Sequence, residues 1–314
     1  MPSWRNANNF ADWTLMNNFF DTTLTRRRVL QAMALAPLVA ALPAHSAPNI
    51  DLTRIIALEW LPAELLMALG VTPWGVADIP NYNLWVEAPK LPSSVIEVGQ
   101  RTSPNMELMQ QMNPSLILIS QGYGPKASQL TPIAPVLTVT ANDGSGHPLQ
   151  QAIRSLNRLA DYLGLQQRAA AHLQTYHDTL VQTRRRVKSA ADRPILLFSF
   201  LDKRHVLVFG EGSLLQEVMT DVGLRNAWDG EKNYWGSVTV GIERLASIKH
   251  ARALCFDHGS GAIIDEVSRS PLWQSLPFVR EKQLSIVPAV WFYGATLCAM
   301  RFCHILSDSL GKPV

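Results

Sequence analysis

Between residues 148 and 191 the chain carries about forty residues in which apolar side chains recur at helical spacing, and this stretch limits every other choice about the fold. Ile153, Leu156, Leu159, Ala160, Leu163, Leu173, Tyr176 and Leu180 mark its buried face. Gly164 is its one interruption and is expected to kink it. At about 1.5 Å per residue a helix of that size reaches roughly 60 Å, too long for the inside of one lobe. The stretch is therefore expected to be a spine that joins two lobes.

On both sides of it, short β-branched runs alternate with helical segments. The first half, 47–147, reads as strands over 54–58, 75–77, 95–98, 116–119 and 136–139, with helices over 62–69 and 104–112. Gly70 ends the first helix and Pro114 stops the second. The second half, 192–314, resumes with strands over 195–200 and 206–209 and a helix over 214–221 closed by Gly223; further strands follow over 253–256 and 284–287. Such alternation predicts two α/β lobes with mostly parallel sheets. The strand 55–58 and its helix are echoed by 206–209 and its helix, and Glu107 before strand 116–119 by Glu243 before strand 253–256, an order that suggests duplication. Two similar lobes on a helical spine would leave a cleft between them.

The N-terminus reads as a secretory leader over 1–46. Arg26-Arg27-Arg28 gives a twin-arginine pattern, the apolar run 29–42 is too short to span a bilayer comfortably, and small residues 44–47 offer a cleavage site. The expected compartment is the periplasm. Four of the 28 basic and two of the 25 acidic residues lie in this leader, which leaves 24 and 23, a net of +1. That balance gives no electrostatic case for nucleic acid. Cys255 falls in an apolar strand. Cys298 and Cys303 lie five apart on a helix, turned about 140° from each other, so neither a disulfide nor a zinc spacing is expected.

In open parallel sheets the binding crevice lies at the carboxyl ends of the strands. Glu59 and Trp60 follow the first expected strand, 78–85 follows another, Arg101 follows a third and Tyr123 a fourth. In the second half Trp228 and Trp235 flank a loop, and Trp291, Phe292 and Tyr293 follow the last strand. Each aromatic alone reads as core; their shared location favours an aromatic-lined site. Arg101 and Tyr123 form the sharpest pair, a planar permanent cation and a phenol, both donors suited to oxygens that carry negative charge. The other reading of Arg101 is a surface arginine near a helix start, although the dipole there disfavours a cation. Glu107 and Glu243, early in two helices, are either dipole partners or acidic knobs for a basic docking surface. Asp257-His258, and His172 with His177, lack the further ligands a metal site needs. No G-x-S-x-G elbow and no Walker loop occurs, so neither an enzyme nor a protein-held metal or cofactor is expected.

The segments RIIALEWLPAELL (54–66), VGQRT (98–102), PNMEL (104–108), GYGP (122–125), NAW (226–228), YWGS (234–237) and VPAVWFYGAT (287–296) resemble the periplasmic ferric-hydroxamate-binding proteins of ferrichrome importers. The resemblance runs over essentially the whole chain after the leader. It implies two Rossmann-like α/β lobes joined by a single long backbone α-helix, the class III periplasmic binding protein of the helical-backbone metal-receptor type, with little hinge motion. It implies a shallow aromatic cleft for a ferric hydroxamate siderophore, with Arg101 and Tyr123 on the hydroxamate oxygens and Trp60, Trp85, Trp235, Trp291 and Tyr293 as walls. Glu107 and Glu243 would then dock on the inner-membrane ABC permease. Iron would arrive only inside its siderophore, and the protein would be a monomer. Ile119 departs from the pattern, standing where a bulkier aromatic is expected near the pocket. A haem- or cobalamin-binding protein of the same fold, or a secreted hydrolase, are the rival readings.

Overall fold

A sheet needs apolar residues on both faces when helices cover both, and strands 55–57 and 116–120 meet that need by continuous burial. The computed structural model describes residues 50–311, so the expected leader lies outside the described residues. Strands β1 (Ile55–Ala57), β2 (Gly75–Val76), β3 (Ile96–Glu97), β4 (Leu116–Ser120) and β5 (Val136–Val139) form an all-parallel sheet in the order β3-β2-β1-β4-β5. Helices α1 (Trp60–Ala68), α2 (Ile79–Trp85), α3 (Met106–Met112) and α4 (Ala127–Leu130) connect them. Helix α1 starts two residues ahead of Pro62 because Glu59 caps it, accepting a bond from the Leu61 amide at 2.8 Å. Proline is tolerated in the first turn, where its missing N–H has no intrahelical partner to lose.

The spine is two helices. Helix α5 (Pro148–Leu163) ends at Gly164, which takes the left-handed conformation at φ 70°, and the Leu165 amide bonds back to the Ala160 carbonyl at 2.8 Å. That closure ends a helix outright, so the expected kink is a break. Helix α6 (Gln166–Val187) then runs for 22 residues, about 33 Å, between the two sheets' segments of chain. Its buried residues Ala169, Tyr176 and Thr183 lie seven apart and form a stripe against the last helix, α11 (Thr296–Leu310). His172 bonds Thr296 at 2.7 Å, and Thr183 meets Ser307 at 3.4 Å. The two contacts are equally spaced along both helices, so α6 and α11 run parallel.

The second sheet holds β6 (Ile195–Phe200), β7 (His205–Phe209), β8 (Ser237–Gly241), β9 (Arg252–Asp257) and β10 (Leu284–Pro288) in the order β10-β9-β6-β7-β8. Helix α7 (Leu214–Asp221) joins β7 to β8, and α8 (Gly261–Val267), α9 (Pro271–Ser275) and α10 (Pro277–Arg280) lead from β9 to β10. Strands β6, β9 and β10 are parallel, whereas β7 is antiparallel to both β6 and β8. The echo between 55–58 and 206–209 therefore fails as duplication, since β1 is a central parallel strand and β7 the return arm of a hairpin. The echo between β4 and β9 holds in direction, each parallel to its lobe's central strand.

Alternation along the strands separates three cores. Ile56, Leu58, Ile117 and Ile119 face α3 and α4, and Leu196, Phe198, Ala253 and Cys255 face the outer side of the second sheet. Ile55, Ala57, Leu116, Leu118, Ile195, Leu197, Leu254 and Phe256 face one shared core, which includes α1, α5, α6, α7 and α11. Ile119 thus points away from the cleft, and its departure from the expected aromatic has no bearing on the pocket. The three cysteines are free and buried in these cores.

Candidate functional site

The chain leaves β1 toward β2 and leaves β4 toward β5, and a crevice opens where neighbouring strands send their connections opposite ways. Glu59 follows β1 and Ser120 ends β4, and the Ser120 hydroxyl donates to Glu59 Oε2 at 3.1 Å across that crevice. Arg101 reaches it from beyond β3. Its Nη1 donates to Glu59 Oε1 at 3.0 Å, and its Nε lies 3.6 Å from Asp78 Oδ2. The guanidinium carbon lies over Trp60, 3.6 Å from the ring centroid, with Tyr123 at 5.1 Å and Trp291 at 5.7 Å. Stacking of that kind contributes about 0.5–2 kcal/mol and fixes the plane of the fork. No protein atom among the described residues bonds Nη2.

Backbone geometry puts Tyr123 next to this cation. Gly124, at φ 77°, sits so close to the Arg101 carbonyl that a Cβ would fall 2.8 Å from it, so only glycine lets the 122–124 loop lie against residue 101. Tyr123 is left 44% exposed and Trp235 37%.

Two connected hollows make up the cleft. One, about 260 Å³, is bounded by Glu59, Arg101, Tyr123, Trp235, Trp291 and Tyr293. The other, about 350 Å³, is bounded by Trp60, Trp85, Arg101, Leu207, Trp291 and Tyr293. Trp235 packs on Tyr293 at 5.1 Å, Trp291 on Tyr293 at 5.2 Å, and Trp60 on Trp291 at 4.7 Å. Trp60 is only 1% exposed; it is a floor beneath Arg101, its indole N–H donating to the Ala77 carbonyl at 3.2 Å. The indole N–H of Trp291 is buried with no partner among the described residues, an orphan donor in the cleft floor. Burial raises the Tyr293 phenol above its ordinary value, so it stays a neutral donor. A hollow of about 500 Å³ beside His147 and Glu217 is larger, but its Lys232 and Glu211 pair with each other and it holds none of the strand-end aromatics.

All seven residues expected to bind ligand thus lie around one cleft. Tyr82 and Trp228, strand-end aromatics too, are core: Tyr82 is fully buried and Trp228 donates to the Glu231 carbonyl at 3.0 Å. Glu107 lies exposed in the first turn of α3, and Glu243 lies exposed in the 3-10 turn Ile242–Ser247 where a helix was expected. His258 is buried, with Nδ1 at 2.8 Å from the Ser199 hydroxyl and Nε2 at 3.3 Å from the Val290 carbonyl, and its ring stacks on Trp85 at 4.6 Å. Burial lowers its basicity. Among the described residues no group of three or more His, Cys, Asp or Glu is placed to hold a metal. Sequence reasoning missed Glu59 and Asp78 as the clamps of Arg101, although both directly follow strands and the strand-end rule reaches them.

Residues 55–290 match the family described as periplasmic binding protein. The chain is 49% identical over 288 residues to the iron(3+)-hydroxamate-binding protein FhuD of Escherichia coli K12, covering 92% of this chain and 97% of that one. It belongs to the periplasmic binding protein family. The Fe(3+)-citrate-binding protein YfmC of Bacillus subtilis is 23% identical over 235 residues, 74% of this chain and 71% of that one. Among solved structures, the siderophore-binding protein FhuD of Vibrio cholerae, bound to Fe3+-Desferal, superposes with a TM-score of 0.76 at 26% identity, covering 83% of this chain and 98% of that one. Two α/β lobes with a long helix between them are the shared architecture. No helix among the described residues is long and apolar enough to cross a membrane.

Proposed function

We propose that this chain is the periplasmic substrate-binding component of an ABC importer for iron(III)-hydroxamate siderophores such as ferrichrome. The observation that carries the reading is a cleft with one stacked, clamped guanidinium among aromatic faces, in a chain 49% identical to an iron(3+)-hydroxamate-binding protein. Hydroxamate oxygens share negative charge with iron, and they present acceptors to Arg101 Nη2 and the Tyr123 phenol. Charge-assisted bonds of this type are short and about twice as strong as neutral ones. Trp85, Trp235, Trp291 and Tyr293 cover the apolar rim of the siderophore, and Trp60 holds the guanidinium plane from below. Iron is cargo: the siderophore fills its coordination shell and no protein ligand is needed. Glu107 and Glu243, one exposed carboxylate on each lobe, dock on the permease.

Capture and release set the useful affinity. Micromolar binding corresponds to about −8 kcal/mol, tight enough to collect and weak enough to hand over. Tryptophan fluorescence of the leaderless protein, titrated with ferrichrome, iron-free ferrichrome, haemin and cobalamin, tests the reading. Saturable quenching by ferrichrome, with haemin and cobalamin inert, is expected. Quenching by haemin or cobalamin alone would keep the fold and overturn the substrate.

A further inference from the structure

We propose that the end of the spine, together with the amino ends of β6, β9 and β10, forms a basic face that holds this protein reversibly on a bilayer rich in anionic phospholipid. The inference goes beyond the siderophore-binding reading above and needs from it only the periplasmic setting. Its basis is a set of cations with nothing to pair with. Arg184, Arg185 and Arg186 stand in the last turn of α6 and Lys188 is its C-cap; all four are exposed. Lys249 and Lys282, also exposed, stand in the segments that lead into β9 and β10. None of the six makes an ion pair or a side-chain hydrogen bond among the described residues. Beyond the expected leader the chain has 24 basic and 23 acidic residues; without these six the remainder is 18 against 23, a net of −5. The chain is near neutral in sum and polarised in space.

Bonds between these segments fix the clustering. Arg252, the first residue of β9, donates to the Ala190 carbonyl at 2.9 Å and pairs with Asp192 at 2.8 Å, while Arg193 pairs with Glu281 at 3.0 Å. The end of the spine is thereby tied to the turns before β9 and β10. Both carboxylates of these segments are also consumed, which leaves the surplus cations unanswered. Asp221 of α7 and Asp308 of α11 lie on helices packed against α6, and neither pairs with any of the six. The helix dipole favours a cation in the last turn of α6. Yet Arg184 and Lys188 are like charges four apart, an arrangement that weakens a helix. The partner that fits is broad and diffuse. None of the six lines a hollow described above, and no exposed large apolar side chain stands in these segments. There is no cradle for a shaped anion, no stacking platform for bases and nothing to insert among acyl chains. A plane of phosphate headgroups asks only for unpaired charge. Trp291 follows the opposite, carboxyl end of β10, so lipid and cleft ligand do not compete.

Co-sedimentation of the leaderless protein with vesicles tests this. Vesicles of phosphatidylglycerol and phosphatidylethanolamine in about a one-to-three ratio should bind it, and vesicles of phosphatidylcholine should not. Arg184→Gln, Arg185→Gln and Lys188→Gln combined should weaken binding roughly hundredfold, since each cation near such a surface contributes about fivefold. Lys90→Gln, Lys126→Gln and Arg269→Gln combined remove the same charge from exposed positions elsewhere and should weaken it no more than about threefold. Molar salt, where the Debye length is about 3 Å, should release the protein. Equal losses in the two triple variants would show attraction to net charge alone and overturn the face. Binding that ignores lipid charge, or that survives molar salt, overturns it too. No binding to the anionic vesicles refutes the proposal outright; retention on heparin in that case would assign the cations to a soluble polyanion. Should the first triple variant melt early, the single variants Arg185→Gln and Lys188→Gln are read instead, and an unchanged affinity in both refutes the proposal. The vesicles carry no siderophore, so a failed ferrichrome titration leaves this inference standing, and failure here leaves the siderophore reading standing.

Discussion

Replacing Arg101 with alanine removes the one cation of the cleft, and its consequences divide into two parts that can be measured separately. For a neutral ligand such as ferrichrome, the loss is the charged hydrogen bond from Nη2, about 1.5–3 kcal/mol. That corresponds to a Kd raised roughly ten- to a hundredfold. The second part falls on the free protein. Glu59 is buried, and its Oε1 loses the 3.0 Å bond from Nη1, while Oε2 keeps the Leu61 amide and the Ser120 hydroxyl. One stripped acceptor costs about 1–3 kcal/mol, a drop in Tm of about 2–4 °C per kcal/mol for a chain of this size. Domains of this kind have about 5–15 kcal/mol to lose, so the variant should still fold. Arg101→Lys should fall between, because an ammonium keeps the charge but not the planar fork that stacks on Trp60. Fluorescence titration gives Kd and a thermal melt gives stability. A ferrichrome Kd within twofold of wild type, with a normal melt, would remove Arg101 from the site.

Glu64 is buried in α1 and accepts from the Ala295 and Cys298 amides at 2.7 and 2.8 Å, capping α11 from the other lobe. Glu64→Ala should lower stability by about 3–5 kcal/mol in a denaturant titration, since both amides lose their acceptor. Burial raises the Glu64 carboxyl above its ordinary 4.5, so its contribution is full below pH 4.5 and is lost as pH rises through the folded value; Glu64→Gln should flatten that slope. His258 has the opposite sign: burial lowers it below 6.5, so its contribution to stability is present above pH 6.5 and is lost as pH falls, at no more than about 1.4 kcal/mol per pH unit, a slope that His258→Gln should reduce. The pair Glu107→Ala with Glu243→Ala should leave ferrichrome binding intact and abolish stimulation of the permease ATPase in reconstituted vesicles.

Local rules reached much of this molecule. Alternation of strand and helix gave both lobes, and the strand-end rule brought Arg101, Tyr123, Trp85, Trp235, Trp291 and Tyr293 toward one cleft. Strand direction was harder, because a β-branched run reads the same either way. The signal was in the connection: four residues, 201–204, link β6 to β7, far fewer than the dozen or more a parallel crossover needs. Glu59 and Asp78 were in view but passed over, because the search was for donors to a ligand and not for what holds the donor. Glu64 was beyond reach, since its partners lie more than 230 residues along the chain. The Ile119 expectation failed on the period of two: its neighbour Ser120 takes the cleft side.

The ties between lobes bear on how ligand is captured. Glu64 caps α11, Arg301 pairs with Glu87 at 2.7 Å, Asn142 and Tyr234 exchange two bonds at 2.8 Å, and Trp85 stacks on His258. Beneath them one apolar core is shared by both sheets. Opening the lobes widely would strip several of these at once, and the Glu64 cap alone is worth about 3–5 kcal/mol. A ligand of the micromolar affinity proposed above, about −8 kcal/mol, would spend most of its binding free energy on such an opening. On the proposed function, recognition therefore occurs on a preformed surface, and any wide separation of the lobes needs a partner that binds the separated state better than the closed one. Small-angle scattering of the leaderless protein should then give the same radius of gyration, within about 1 Å, with and without ferrichrome, against the larger contraction expected of a hinged receptor. A contraction of several ångströms on binding would show that the shared core yields, and that the ties between the lobes are far weaker than their geometry indicates.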